Sequence, residues 1–104
     1  MAARIHFIER LGNMKKLSPD GTLWESGWWV VSEETAEKLK GGEIYFHKNQ
    51  GKPSFFGGVI QSYRVETEGE LKGRLLFTFR TEADKYRDVM AGTDGWGMEK
   101  KIVL

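Results

Sequence analysis

A histidine followed directly by a lysine, His47-Lys48, is the part of this sequence best equipped for chemistry. The pair ends an aromatic segment that begins at Glu43 and precedes a polar loop, 49–53. An imidazole nitrogen there can hydrogen-bond a base edge or a phosphate, and the lysine ammonium supplies a positive charge for a phosphate. The structural alternative is a strand-end histidine whose ring is hydrogen-bonded to backbone. We take His47 and Lys48 as candidate ligand-binding residues.

A small ribonuclease-like enzyme is one alternative for the same residues. His6 and His47 with Lys48 contain the groups for acid–base cleavage of RNA, in which the lysine would stabilise charge on the phosphorane. Nothing in their spacing brings the three side chains together, so we expect no catalytic residue. The chain has no cysteine and no histidine cluster at metal-ligand spacing, and Asp94 lies in a glycine-rich turn unlike a Ca²⁺ loop. We therefore expect neither a metal nor a cofactor.

The aromatic residues, six Phe, four Trp and three Tyr, supply much of the large apolar surface. Where two rings are adjacent, as in Trp28-Trp29 and Phe55-Phe56, the alternation of a strand directs one ring of each pair to the interior. The other ring can line a cleft, where stacking contributes roughly 1–3 kcal/mol per base. Trp96, which is flanked by glycines, would either plug an open end of the structure or stack on a ligand.

The charge balance limits how the chain could bind nucleic acid. Sixteen Lys plus Arg and 15 Asp plus Glu give a net charge of +1, without the basic excess that dominates non-specific binding. A phosphate-binding surface would need segregated charges. Arg64, on the polar face of a predicted strand, is one candidate for such a surface; the alternative is a solvated arginine with Glu66 and its neighbours as partners.

The length and hydropathy of the chain predict its organisation. A chain of 104 residues is expected to be a single domain, 1–104, whose first part, 1–21, is either a strand of the fold or an arm packed on it. No apolar run reaches the ~18–20 residues of a membrane-spanning helix. The N-terminus has no apolar signal region. We expect a cytoplasmic protein that does not contact membranes.

The pattern of residues predicts strands alternating with two short helices. Ser32 is a suitable N-cap for the first helix, with Glu33 and Glu34 in its first turn. Thr81 with Asp84 predicts a second, capped helix through Met90. Gly57-Gly58 predicts a bulge or bend. The predicted strands are centred on 5–8, 28–31, 43–47, 55–66, 74–80 and 100–104.

These elements predict an α+β fold: a small, mostly antiparallel, partly open β-barrel with two short peripheral helices. The order of segments resembles the PUA-like superfamily, nearest its EVE-type and ASCH-type domains, over about residues 24–80. The resemblance lies in the segments Gly27-Trp28-Trp29-Val30-Val31-Ser32, Gly42-Glu43-Ile44-Tyr45-Phe46-His47 and Phe56-Gly57-Gly58-Val59-Ile60. It implies a PUA-like barrel that binds nucleic acid, often through modified or extruded bases.

The resulting hypothesis is a non-catalytic module that binds RNA, DNA or a nucleotide, including a modified or extruded base, in an aromatic cleft. The cleft would be bounded by Trp29, Tyr45, His47, Ser54, Phe55 and Trp96, with Lys48 and Arg64 at its rim.

A different class of function is a protein-interaction or oligomerisation module. An edge strand formed by 102–104 or by 5–8 could pair with a protein partner or with a second copy of the chain in a homodimer.

Overall fold

Seven strands and one helix make up the secondary structure of the described residues, which are 3–10, 12–82, 85–92, 94–97 and 100–104 of the computed structural model. The strands are β1 (Arg4–Ile8), β2 (Met14–Lys16), β3 (Leu23–Trp29), β4 (Glu43–His47), β5 (Ser54–Val65), β6 (Leu75–Arg80) and β7 (Lys100–Val103), and the helix is α1 (Glu33–Leu39). No helix in these ranges is both long and apolar enough to cross a membrane.

All seven strands belong to one sheet with the order β2-β3-β6-β5-β4-β1-β7. Every neighbouring pair is antiparallel except β1 and β4, which run parallel with His6 opposite Tyr45 and Ile8 opposite His47. The strand 4–8 therefore lies inside the sheet, between β4 and β7, whereas β7 and β2 are the two edge strands.

The sheet curls around a hydrophobic core on one of its faces, which we call the core face. Phe7 of β1 stacks on Trp29 of β3, with ring centroids 3.8 Å apart, although three strands separate β1 from β3 in the sheet. Such stacking adds to the gain from burying two large rings. The buried residues of this core are Ile5, Phe7, Val31, Ala36, Leu39, Ile44, Phe46, Ile60, Leu75, Phe77 and Phe79.

The prediction of a partly open α+β barrel with two helices is wrong. The described residues form mostly sheet with one helix, and the seven-stranded sheet is not closed, because its edge strands β2 and β7 do not pair with each other. Near one end of the curl, Lys100 Nζ of β7 donates to the Val30 carbonyl at 2.7 Å, just after β3 ends. A side-chain hydrogen bond, and not a ladder of backbone hydrogen bonds, thus joins β7 to the end of β3.

The predicted second helix is also absent from the part of 81–90 that is described; Ala83 and Asp84 lie outside the described residues. Its amide groups are used elsewhere, since Asp88 N donates to the Ser54 carbonyl (2.8 Å) and Val89 N to Ser54 Oγ (3.0 Å). An amide that bonds a neighbouring strand cannot also form the i→i−4 bond of a helix. The capping pattern was therefore overridden by tertiary hydrogen bonds.

Local signals were more accurate for α1 and for two of the strands, whereas β2 was not predicted and β3 (Leu23–Trp29) overlaps the predicted strand 28–31 only at 28–29. Ser32 caps α1, because its hydroxyl accepts a hydrogen bond from Thr35 N, as predicted. The predicted strands 43–47 and 55–66 agree with β4 and β5 to within a residue at each end. The predicted bulge at Gly57-Gly58 is wrong, because both glycines pair in regular register with β4, and the register shifts lie on either side of them.

Gly57 allows the chain near Tyr86 to pack closely on β4 and β5. A Cβ at position 57 would clash with the Ile44 carbonyl and lie 3.1 Å from Tyr86 Cβ. We expect Gly57→Ala to lower the free energy of unfolding by about 2 kcal/mol or more, as measured by denaturant unfolding. The matched control is Gly51→Ala, whose Cβ would meet Asn49 Oδ1 at an ordinary 3.6 Å. Equal effects of the two substitutions would contradict this packing.

Candidate functional site

Two buried histidines occupy the face of the sheet opposite the core, which we call the reverse face. Strand alternation directs Phe7 and Phe46 into the core and therefore turns His6 and His47 the other way. Both rings are almost completely buried, with exposed fractions of 1% and 0%. Their cover includes Trp96, whose ring centroid lies 6.3 Å from that of His6 and 5.7 Å from that of His47.

A chain of hydrogen bonds joins the two rings to the loop after β4. His6 Nδ1 and His47 Nε2 are 2.9 Å apart, and His47 Nδ1 is 2.9 Å from the Lys52 carbonyl oxygen. A carbonyl oxygen can only accept, so His47 Nδ1 carries a hydrogen and donates it. With the hydrogen of His6 on Nδ1, the bond between the two rings runs from His6 Nδ1 to His47 Nε2. In this arrangement the remaining nitrogen, His6 Nε2, carries a lone pair.

Burial keeps His6 uncharged. Its pKa is lowered to about 4, first by loss of hydration and then by electrostatic interaction with His47, Arg4 and Lys101. The ring is therefore a neutral hydrogen-bonding group at neutral pH and a weak general base, because efficient bases have pKa values near the working pH.

Tyr45 holds the His6 ring from the β4 side. The two rings stack with centroids 5.0 Å apart and an interplanar angle of 16°. Burial, together with the carboxylate of Glu43, raises the pKa of Tyr45 to about 12, so its hydroxyl remains protonated at neutral pH.

A cavity of about 270 Å³, here called the histidine cavity, opens beside His6. Its charged members, Arg4 and Lys101, flank His6 on β1 and β7, and Lys101 is the residue paired with His6 across the strands. Lys101 Nζ also donates to the Ala91 carbonyl. The lining residues are Arg4, His6, Tyr45, Val89, Met90, Ala91, Lys101 and Val103.

A second cavity, of about 400 Å³ and here called the loop cavity, lies beside the loop that follows β4. Three of its lining residues are cationic, one is acidic and one is aromatic. The lining residues of the loop cavity are Lys48, Lys52, Pro53, Ser54, Phe55, Arg87 and Asp88. The residues of the segment 87–91 are shared between the two cavities, with Arg87 and Asp88 at this one and 89–91 at the other.

The residues predicted to bound one aromatic cleft are distributed over several places. Lys48, Ser54 and Phe55 line the loop cavity, and Tyr45 lines the histidine cavity. His47 and Trp96 contact each other beside His6, with ring planes at 89°.

Trp29 and Arg64 lie apart from both cavities. Trp29 stacks on Phe7 in the core, and its Nε1 donates to Ser26 Oγ at 2.9 Å. Arg64 forms a two-point ion pair with Glu25, with Nε–Oε2 at 2.9 Å and an Nη2–Oε1 distance of 3.2 Å. This pair also raises the pKa of Arg64. The structure accordingly explains both residues by contacts within the protein.

Ser54 is a clamp between β5 and the segment 86–89. Its hydroxyl donates to the Tyr86 carbonyl (2.7 Å) and accepts from Val89 N (3.0 Å). Its backbone bonds the same segment, through Ser54 N to the Val89 carbonyl (2.9 Å) and Asp88 N to the Ser54 carbonyl (2.8 Å). Ser54 thereby holds in place the segment that contributes to both cavities.

The histidine cavity contains residues that were not among the predicted site. Arg4 and Lys101 were not singled out in the sequence, and His6 entered only the ribonuclease-like alternative. The alternation in Ile5-His6-Phe7 could have placed His6 opposite the core. Its meeting with His47 depends on the parallel pairing of β1 with β4, for which a single sequence carries no local signal. The third residue of that alternative, Lys48, lines the loop cavity instead.

Comparisons of the chain with protein-family models, with curated proteins and with solved structures found no match. The chemistry of the two cavities is therefore the basis for assigning a function.

The buried neutral His6 predicts an acid-sensitive fold. The folded-state pKa, about 4, lies below the ordinary value of 6.5, so between these values the unfolded chain binds more protons and stability falls as the pH falls. The loss attributable to His6 is at most about 3 kcal/mol. Unfolding free energies measured from about pH 7 to about pH 5 should fall more steeply for the parent than for His6→Asn. Identical slopes would contradict a neutral buried His6.

The clamp formed by Ser54 predicts a loss of stability on removal of its hydroxyl. Ser54→Ala leaves the Tyr86 carbonyl and the Val89 amide without this partner, and we expect it to lower the free energy of unfolding by about 1–3 kcal/mol. Ser62→Ala, at an exposed position of the same strand, is the control and should change stability by less than about 0.5 kcal/mol. A Ser54→Ala protein as stable as the control would show that the clamp contributes nothing.

Proposed function

We propose that the protein binds a nucleotide, free or as a unit of RNA or DNA, in the loop cavity without catalysing a reaction. The observation that carries the proposal is that the half-buried Phe55, which packs against the core, also lines the loop cavity together with Lys48, Lys52 and Arg87. An aromatic surface for a base beside cations for a phosphate is the combination that single-stranded nucleic-acid sites use.

The size and charge of the loop cavity support this ligand class. A volume of about 400 Å³ lies within the ~300–1,000 Å³ typical of small-molecule sites. Three cations and one carboxylate, Asp88, give the lining residues a local positive excess although the whole chain carries only +1. Local segregation of this kind suits one or two phosphate contacts better than a long duplex backbone.

The loop that carries two of these cations is held in a defined shape. His47 Nδ1 donates to the Lys52 carbonyl, and Gly51 N donates to Asn49 Oδ1 at 2.9 Å. Pro53 restricts the backbone immediately before β5. A loop ordered before binding has less conformational entropy to lose when a ligand binds. His47 would thus support the site from beneath without touching the nucleotide.

The non-catalytic character of the proposal rests on the histidines. The imidazoles of His6 and His47 are bonded to each other, and burial lowers the pKa of His6 to about 4. Acid–base cleavage needs one group that is protonated and one that is not near the working pH, and a neutral His6 does not supply the acid.

A protein-interaction module is the second candidate, and the position of β7 at the edge of the sheet favours it, although Lys100 of β7 is already paired with Gly97. In the sheet order β7 is an end strand, and Leu104 beyond it is 65% exposed. An unpaired edge can accept a strand from a partner or from a second copy. Concentration-dependent mass by light scattering, without any response to nucleotides or oligonucleotides, would favour this candidate over the first.

Substitution of Phe55 tests the nucleotide proposal. We expect Phe55→Leu to weaken binding of nucleoside monophosphates and short single strands by about fivefold or more, because a stacked base contributes roughly 1–3 kcal/mol. Binding would be measured by amide NMR titration and fluorescence anisotropy with RNA and DNA. Tyr63→Leu is the matched control, since Tyr63 is another half-buried ring of β5 that lies near a lysine, Lys40, away from the cavity.

The lysine contribution is separable from stacking by salt. Lys48→Gln should weaken the binding of every oligonucleotide to a similar extent and reduce the slope of log affinity against log salt by about 1. Lys72→Gln, at an exposed position, should have neither effect. A parent protein that binds none of these ligands, or that binds them equally well after Phe55→Leu, would overturn the proposal.

A further inference from the structure

One ring nitrogen in the histidine cavity is left for a ligand. The Nδ1 of His6 is hydrogen-bonded to His47. The Nε2 of His6 has no hydrogen-bond partner among the described residues. The His6 side chain is only 1% exposed, yet it lines the cavity. A ring nitrogen at the wall of a cavity can bond water or a ligand there. The lone pair on His6 Nε2 can accept a hydrogen bond from a ligand.

The charged side chains around that nitrogen favour an anionic ligand. Arg4 lies two residues before His6 on the same face of β1, and Lys101 lies directly across from His6 on β7. Both cations contribute to lowering the pKa of His6, which shows that their field reaches the ring. Among the described residues, none that lines this cavity carries a carboxylate. Glu43 is opposite Arg4 on β4 and acts on the pKa of Tyr45.

A ligand that uses all three groups carries a negative charge and a hydrogen-bond donor, such as an O–H. A phosphate with one proton has both, because its charged oxygens can bind Arg4 and Lys101 while its P–OH donates to His6 Nε2. Sulfate and ionised carboxylates carry the charge but have no proton to donate at neutral pH. The proton on phosphate titrates near neutrality, with a pKa of about 6 in a monoester.

We propose that the histidine cavity is a binding site for a singly protonated phosphate group, held by Arg4, Lys101 and the Nε2 of His6. The volume of about 270 Å³ equals the share of about nine water molecules in the liquid, which leaves room for a small ester group beside the phosphate. Val89, Met90 and Val103 form an apolar wall for that group. The phosphate is either inorganic or the end of a small monoester.

This site does not depend on the nucleotide proposal. The segment 87–91 contributes Arg87 and Asp88 to the loop cavity and its last three residues to the histidine cavity. The probes used below contain no base, so a failure at one site leaves the other untouched.

The experiment is a titration of the full chain with inorganic phosphate, ethyl phosphate and sulfate at constant ionic strength. Binding is monitored by amide NMR and by calorimetry. We expect both phosphates to saturate a site that shifts the signals of Arg4, His6 and Lys101, and sulfate to bind at least about tenfold more weakly for lack of a donated hydrogen bond. Ethyl phosphate binding as tightly as inorganic phosphate or tighter would assign the site to monoesters; the reverse order would assign it to the free ion. From about pH 6 to about pH 8 the affinity for ethyl phosphate should fall as its proton is lost.

Two variants separate the roles of charge and lone pair. Arg4→Gln should weaken phosphate at least about tenfold, whereas Arg74→Gln, at an exposed position before β6, should not. His6→Asn keeps an N–H for His47 but removes the Nε2 acceptor, so phosphate and sulfate should then bind within about threefold of each other. If His6→Asn does not fold, the substitution Arg4→Gln at an exposed position, together with the comparison of phosphate with sulfate in the parent, still tests the proposal. No saturable binding of either phosphate, equal binding of sulfate to the parent, or equal effects of the two arginine substitutions would overturn the proposal.

Discussion

A hydrogen bond between two buried imidazoles, His6 Nδ1 to His47 Nε2, organises the reverse face of the sheet. Burying an imidazolium without a counter-charge is costly, and burying an imidazole without hydrogen bonds is also unfavourable. The pair meets both requirements by passing one direction of donation from ring to ring to the Lys52 carbonyl. This chain of bonds orders the loop beside one cavity and leaves an acceptor nitrogen at the other. Both proposed sites therefore adjoin this pair of rings.

The parallel pairing of β1 with β4 is the structural condition for that bond. It brings together residues that are 41 positions apart in the sequence. The curled sheet supports it from the core side, where Phe7 of β1 stacks on Trp29 of β3. From the other side, Ser54 holds the segment 86–89 through four hydrogen bonds. The reverse face is thus covered by irregular chain fixed by polar contacts, and not by a helix.

The accuracy of the sequence-based expectations followed the range of the interactions involved. The bounds of α1 and β4 are set by local factors, a serine cap and a period-2 pattern, and these were predicted. The second helix was wrong because Ser54, more than 30 residues away in the chain, takes its amide hydrogen bonds. The partly open barrel was wrong because strand order is a non-local property. Lys48, Ser54 and Phe55 were predicted together because they surround one loop, whereas Arg4 and Lys101 meet only through the sheet.

The measurement that tests this account most directly is a long-range proton–nitrogen NMR correlation of the two histidine rings in the parent protein. The hydrogen-bond directions predict that the His6 ring at neutral pH carries its hydrogen on Nδ1 and leaves Nε2 unprotonated, and that His47 Nδ1 carries a hydrogen. His6 should stay neutral until the pH approaches its lowered pKa of about 4. A His6 ring that is charged at neutral pH, or that carries its hydrogen on Nε2, would contradict the account, because the histidine cavity would then present a donor where an acceptor is required.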